Sequence, residues 1–222
     1  MEFNTVTGSH TRALPRSYSE LTTRVYERIF REWGMEPPIE ERDYAHLFTI
    51  LYDEPGTIFR AGSVEVEEIM WQKVRWVVEQ APALGDALPK TFVLGGNALE
   101  VPEKVGALSF GQNIVLRQLL DKGKYLNEFI GMAIAIYLQP LADGAKFSKA
   151  RAFKLYETEI AQRPISETFA LGFFLLTHVR TGGQQSQSEW LRTLSNLITR
   201  LRNRLQRWLL LRDLNRTRIY PR

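Results

Sequence analysis

Three histidines, His10, His46 and His178, and no cysteine are the starting inventory for chemistry in this chain of 222 residues. No two histidines stand three or four residues apart, so no helix face offers a ready-made pair of imidazole ligands. Without thiols this chain can form no disulfide, thiolate nucleophile, iron–sulfur cluster or cysteine-ligated zinc. His46, beside Tyr44 and Leu47, reads as half-buried structure. His178 falls at an expected helix end, where a cation complements the macrodipole.

Carboxylates pair at Asp53-Glu54 and Glu67-Glu68, and Glu157 and Glu159 are two apart. Acid–base catalysis needs two carboxylates held in environments that push their proton affinities apart. Glu67-Glu68 near a helix start is accounted for by dipole compensation, and residues two apart on a helix face different ways. Gly95-Gly96-Asn97 lacks the spacing and the Lys-Ser/Thr of a phosphate-binding loop, and a strand follows it instead of a helix N-terminus. It reads as a turn with positive φ. No G-x-S-x-G element occurs. These readings leave no local catalytic, cofactor or metal site, and an enzyme with a site assembled from distant residues ranks last among the functional alternatives.

The elements that would position any site are mostly helices. Residues 1–15 read as a flexible lead-in closed by Pro15; they lack the apolar stretch of a signal peptide. Ser17 or Ser19 can cap a helix running to about Trp33, with Leu21, Val25, Ile29 and Phe30 on one side. A second helix is expected from about Glu40 to Tyr52, and a third from Ser63 to Val78. Thr91 to Val101 alternates around two glycines and predicts a β-hairpin. Ser109 starts a further helix with Ile114, Val115, Leu116, Leu119 and Leu120 as its buried members, interrupted at Gly123. Tyr125 to Gln139 is apolar nearly all round and belongs at the centre of the core, ended by Pro140 and Asp143-Gly144. Phe147 to Gln162 is amphipathic, Pro164 breaks it, and Ser166 to Val179 forms a second buried helix. No stretch approaches the ~20 apolar residues of a membrane-spanning helix.

The expected fold is therefore mainly α: a helical body over residues 16–180 with one hairpin at about 90–101. A flexible linker, 181–188, leads to a separate basic amphipathic helix and tail, 189–222. The linker, Thr181 to Ser188, is built of Gly, Gln, Ser and Thr. From Ser188 to Arg222 nine arginines face only Glu189 and Asp213, so the arm carries +7 of a total +4 and the rest of the chain −3. Leu191, Leu194, Ile198, Leu201, Leu205 and Trp208 are spaced alternately three and four apart, an a/d seam of coiled-coil type. These six are the expected partner-binding residues. Arg200, Arg204, Arg207 and Arg212 lie off the seam and are candidate contacts to an anionic partner. Arginine without interleaved lysine, glycine or aromatic platforms departs from the usual nucleic-acid pattern, so nucleic-acid binding through the arm stands as the alternative.

The order of motifs from about Leu88 to Phe174 carries a resemblance. The hairpin is followed by Pro102-Glu103-Lys104 and Leu108-Ser109-Phe110-Gly111-Gln112. Further on come Ala133-Ile134-Ala135-Ile136-Tyr137-Leu138-Gln139-Pro140 and Ala170-Leu171-Gly172-Phe173-Phe174. This order resembles tailed-phage and prophage structural-block proteins of the tail assembly chaperone type, and the opening Leu14-Pro15-Arg16-Ser17-Tyr18-Ser19-Glu20-Leu21-Thr22 is similar to openings in that group. The resemblance implies a non-enzymatic assembly or virion structural protein. It would bind itself and a phage structural protein, such as a tape-measure or tail component, in the bacterial host cytoplasm during assembly or in the virion. It implies no cofactor.

Overall fold

The computed structural model describes residues 2–5, 8–11, 14–33, 44–52, 72–80, 82, 89–101 and 108–180. The body is mainly α with one small β-hairpin. The linker, the arm and the start of the third expected helix lie outside the described residues. In the lead-in, expected to be flexible, β1 (Glu2–Thr5) pairs antiparallel with β2 (Gly8–Thr11), Thr5 opposite Gly8. Its β-branched threonines and Phe3 suit extended backbone.

α1 (Thr23–Arg28) is capped by Thr22, whose hydroxyl accepts from the Val25 amide, and not by Ser17 or Ser19. Tertiary pairing selects the start. Thr22 bridges Pro164, the Thr23 amide donates to the Arg163 carbonyl and the Ile165 amide to the Leu21 carbonyl, so Thr22 is held extended just before the helix. The helix then widens into a π-helical turn, Ile29–Trp33. α2 (Tyr44–Leu51) buries Leu47, Phe48, Ile50 and Leu51. The short α3 (Trp76–Glu79) sits under Tyr18, whose hydroxyl lies 3.0 Å from the Gln80 carbonyl and whose ring meets Trp76 edge-on.

β3 (Thr91–Leu94) and β4 (Asn97–Glu100) form the expected hairpin, with Gly95 and Gly96 at φ +53° and +82°. Two positive-φ residues suffice for a two-residue type I′ turn, so Asn97 already belongs to β4. Phe92 and Leu94 face inward. Arg163 lies over the Phe92 ring and donates to the Val93 carbonyl, fixing the hairpin to the start of the last helix.

α4 (Phe110–Lys122) begins in a capping box: Ser109 accepts from the Gln112 amide while the Gln112 side chain takes the Ser109 amide at 2.9 Å. Its expected buried face needs correction. Ile114 is exposed, and Leu119 and Leu120 are only partly buried, because Gln112, Val115 and Leu116 take the inward face. After a 3₁₀ turn, Leu126–Phe129, comes α5 (Ile130–Asp143), with Ile130 to Gln139 buried. α6 (Lys149–Leu155) continues into a second π-helical turn, Tyr156–Ile160, and α7 (Ile165–Arg180) closes the body. α5 packs chiefly on α7, and Gly172 permits that approach: a Cβ there would lie 2.3 Å from the Ile130 carbonyl oxygen.

Of the two expected stops the second ends α5: the helix runs through Pro140 to Asp143 and stops at Gly144 in the left-handed region. A proline at 140 has no N–H for the carbonyl four residues earlier, that of Ile136. The Gln112 side-chain amide fills the vacancy, 2.8 Å from the Ile136 oxygen and 3.2 Å from that of Tyr137. Gln112→Leu therefore strands a buried acceptor, and it should lower stability by about 1–3 kcal/mol. In a Pro140→Ala background the restored backbone donor should make the same change milder, leaving only the loss of the Ser109 capping contacts. A double-mutant cycle in urea checks this coupling, and additive effects would refute it.

Candidate functional site

The seam residues Leu191, Leu194, Ile198, Leu201, Leu205 and Trp208 and the arginines Arg200, Arg204, Arg207 and Arg212 all lie outside the described residues, so the structure places none of them. Three features of the body are candidates for function.

The first is an apolar end. Phe110 opens α4 with 82% of its surface in water, and Ile114 follows one turn later on the same exposed face. Leu141, near the end of α5, is also exposed. Gln112 on the Ile136 carbonyl and Gly111 against the Phe147 ring bring the start of α4 alongside the end of α5. Phe110 and Leu141 thus occupy the same end of this helix pair. Ile114, expected in the core from its apolar spacing, is exposed beside Phe110.

The second is a shallow cleft of about 440 Å³ lined by Arg117, Asp121, Lys124, Tyr125, Leu126 and Arg180. It lies where α4 and α7 end, and helix C-termini carry partial negative charge. Of its cations Arg180 complements the α7 dipole and Lys124 lies over the Tyr125 ring, so they do not define an anion site. His178, two residues before that end and inside the last turn, has the place expected of a dipole-compensating cation. Partial burial lowers its proton affinity below the ordinary histidine value, which favours the neutral imidazole; its ring lies beside Phe174. Arg180 supplies the charge instead. His46 is half-buried, with Nε2 4.0 Å from a Glu32 carboxylate oxygen. Glu157 pairs with Arg24, and Glu159 reaches the Gly95 amide at 3.4 Å, so the two face different partners.

The third is a buried polar junction that no local pattern announced. Glu27, 1% exposed, projects from α1 to the first turn of α5. The Gly131 amide donates to its Oε1 at 2.7 Å, the Met132 amide adds a further contact, and the Tyr156 hydroxyl donates to Oε2 at 2.5 Å. Glu27 therefore caps a helix from another element, satisfying donors that are otherwise orphaned in the core. Gly131 makes room, since a Cβ there would meet Thr23 Cγ2 at 2.7 Å. Burial pushes the Glu27 carboxyl up to about 7, outweighing these hydrogen bonds and the pull of Arg31. Burial likewise raises the Tyr156 phenol, helped by the Glu27 charge beside it. A carboxyl this enclosed has no access to substrate.

Among the described residues no group of three or more His, Asp or Glu side chains is gathered so as to hold a metal ion, and no helix is long and apolar enough to cross a membrane. Comparison with known proteins finds no matching family model, curated protein or solved structure.

Proposed function

We propose that this chain is a non-enzymatic assembly or virion structural protein of tailed-phage type, similar to the tail assembly chaperones. It acts by oligomerising and by capturing helices of a partner such as a tape-measure or tail component. The reading places it in the bacterial host cytoplasm during assembly and allows a place in the virion. The observation that carries it is the seam from Leu191 to Trp208, six apolar residues at coiled-coil spacing behind a Gly-Gln-Ser linker. Such a stripe has to be covered by protein, because leaving it in water forfeits roughly 1.5–3 kcal/mol for each large side chain.

The body supports the same reading: Phe110, Ile114 and Leu141 expose apolar surface at one end of the α4–α5 pair. Light scattering on the intact chain tests the proposal. A mass that is a multiple of 25.7 kDa is expected. A strict monomer with the seam packed on its own body would overturn it.

A further inference from the structure

Glu27 has an unusual place for an ionisable group. α1 carries it, the first turn of α5 caps onto it, and the second π-helical turn reaches it through Tyr156. The first π-helical turn, Ile29–Trp33, begins two residues beyond it, and the second begins at Tyr156 itself. π-turns interrupt the regular ladder of a helix and recur where helices have a functional task. The junction thus joins two such interruptions through one carboxyl group.

The charged groups around Glu27 are engaged elsewhere. On its own helix Arg24 pairs with Glu157 and Arg28 with Glu32. Arg31 donates to the Glu128 carbonyl, so its charge acts on Glu27 without touching it. Glu128, just before α5, accepts from the Lys124 and Tyr125 amides. Behind Tyr156, Glu159 turns to the hairpin. From α7, Glu167 faces Arg163. Among the described residues no arginine or lysine side chain hydrogen-bonds to Glu27. A buried carboxylate in that position has donors but no counter-charge in contact.

We propose that Glu27 is a proton-operated latch: its neutral carboxyl holds α1, the start of α5 and the Tyr156 π-turn together, and loss of the proton lets this junction open to water. The Tyr156 hydroxyl, which donates to Oε2 when the carboxyl is ionised, turns to accept the carboxyl O–H in the closed, neutral form, while Oε1 still accepts from Gly131. On ionisation the O–H bond breaks, its electron pair stays on Oε2 and the proton passes to water. The carboxylate left behind regains full solvation only if the junction parts.

The folded carboxyl titrates near 7 and a solvated one near 4.5. The stabilising effect of the held proton is therefore complete below about pH 4.5 and is lost as pH rises through about 7. Hydrogen exchange at the Gly131 and Met132 amides, corrected for the intrinsic rate, reads the opening directly. On the full chain, the open fraction should rise on the order of 50-fold from pH 5 to pH 8. In Glu27→Gln, which keeps the shape and cannot ionise, it should stay flat. Tyr156→Phe removes the hydroxyl that both forms of the carboxyl bond and should move the midpoint of the transition, which keeps the idea testable if Glu27→Gln does not fold. A flat profile in the parent protein, a parent-like slope in Glu27→Gln, or an unmoved midpoint in Tyr156→Phe each overturns the proposal.

Discussion

Gly172→Ala should be among the most damaging single changes available in the body, at about 3 kcal/mol, although it adds one methyl group. The new Cβ would stand 2.3 Å from the Ile130 carbonyl oxygen and 2.9 Å from its carbon. Both are backbone atoms at the first residue of α5, so no rotamer change relieves the contact. α7 would have to withdraw from α5, on which it packs and which, like α7, is lined with fully buried residues such as Ile134, Leu138, Leu171 and Leu175. It would also disturb Gly131, next to Ile130, and with it the cap on Glu27. Ordinary Gly→Ala changes inside helices act the other way, gaining up to about 1 kcal/mol in propensity. Gly111→Ala is the matched control. Its Cβ meets only the Phe147 ring, at 3.1 Å, and a ring edge can yield. For a chain of this size 3 kcal/mol corresponds to roughly 6–12 °C in melting temperature. Thermal melts followed by circular dichroism separate the two variants, and a Gly172→Ala protein melting with the parent would show that α5 and α7 do not pack this closely.

Much of the body was legible because its signals are local. Gly95-Gly96 between alternating residues fixes a hairpin on its own chemistry. Ser109 with Gln112 three residues on marks a helix start, and Pro164 with the following apolar run marks another. The misreadings share a different cause. Pro140 reads as a stop, but the Gln112 amide that lets the helix continue is 24 residues from Ile136 in sequence. Ser17, Ser19 and Thr22 are equally able caps, and the choice is made by pairing with Arg163 and Pro164. The partners of Glu27 are 104 and 129 residues away, and neither a glycine inside a buried helix nor a tyrosine in an amphipathic one identifies itself as such. Ile114 illustrates the limit of periodicity: it fits the apolar spacing of α4, yet one helix turn from Phe110 it points outward with it.

The arm carries the other large effect. Leu194→Asp with Leu201→Asp in the full chain should dissociate the oligomer to monomers and abolish partner capture, as should removal of residues 181–222. Each change puts a charge in the middle of the seam, where burying it unpaired costs several kcal/mol and a leucine contact worth about 1.5–3 kcal/mol is lost as well. Two such sites exceed the free energy of an ordinary micromolar association, about 8 kcal/mol, once both copies carry them. Replacing Arg200, Arg204, Arg207 and Arg212 by alanine leaves the seam intact, so the oligomer should persist. The two variants divide the functional readings because they remove different chemistry from the same segment. If the arm binds DNA or RNA through its charge, the arginine variant loses that binding, and the slope of log affinity against log salt shrinks by about 3.6 for four phosphate contacts. If the arm grips protein helices, the aspartate variant fails while the arginine variant works, and added salt changes little. A seam whose double aspartate variant keeps both mass and partner would not be an interface at all, and the exposed Phe110 end of the body would then be the surface left to explain association.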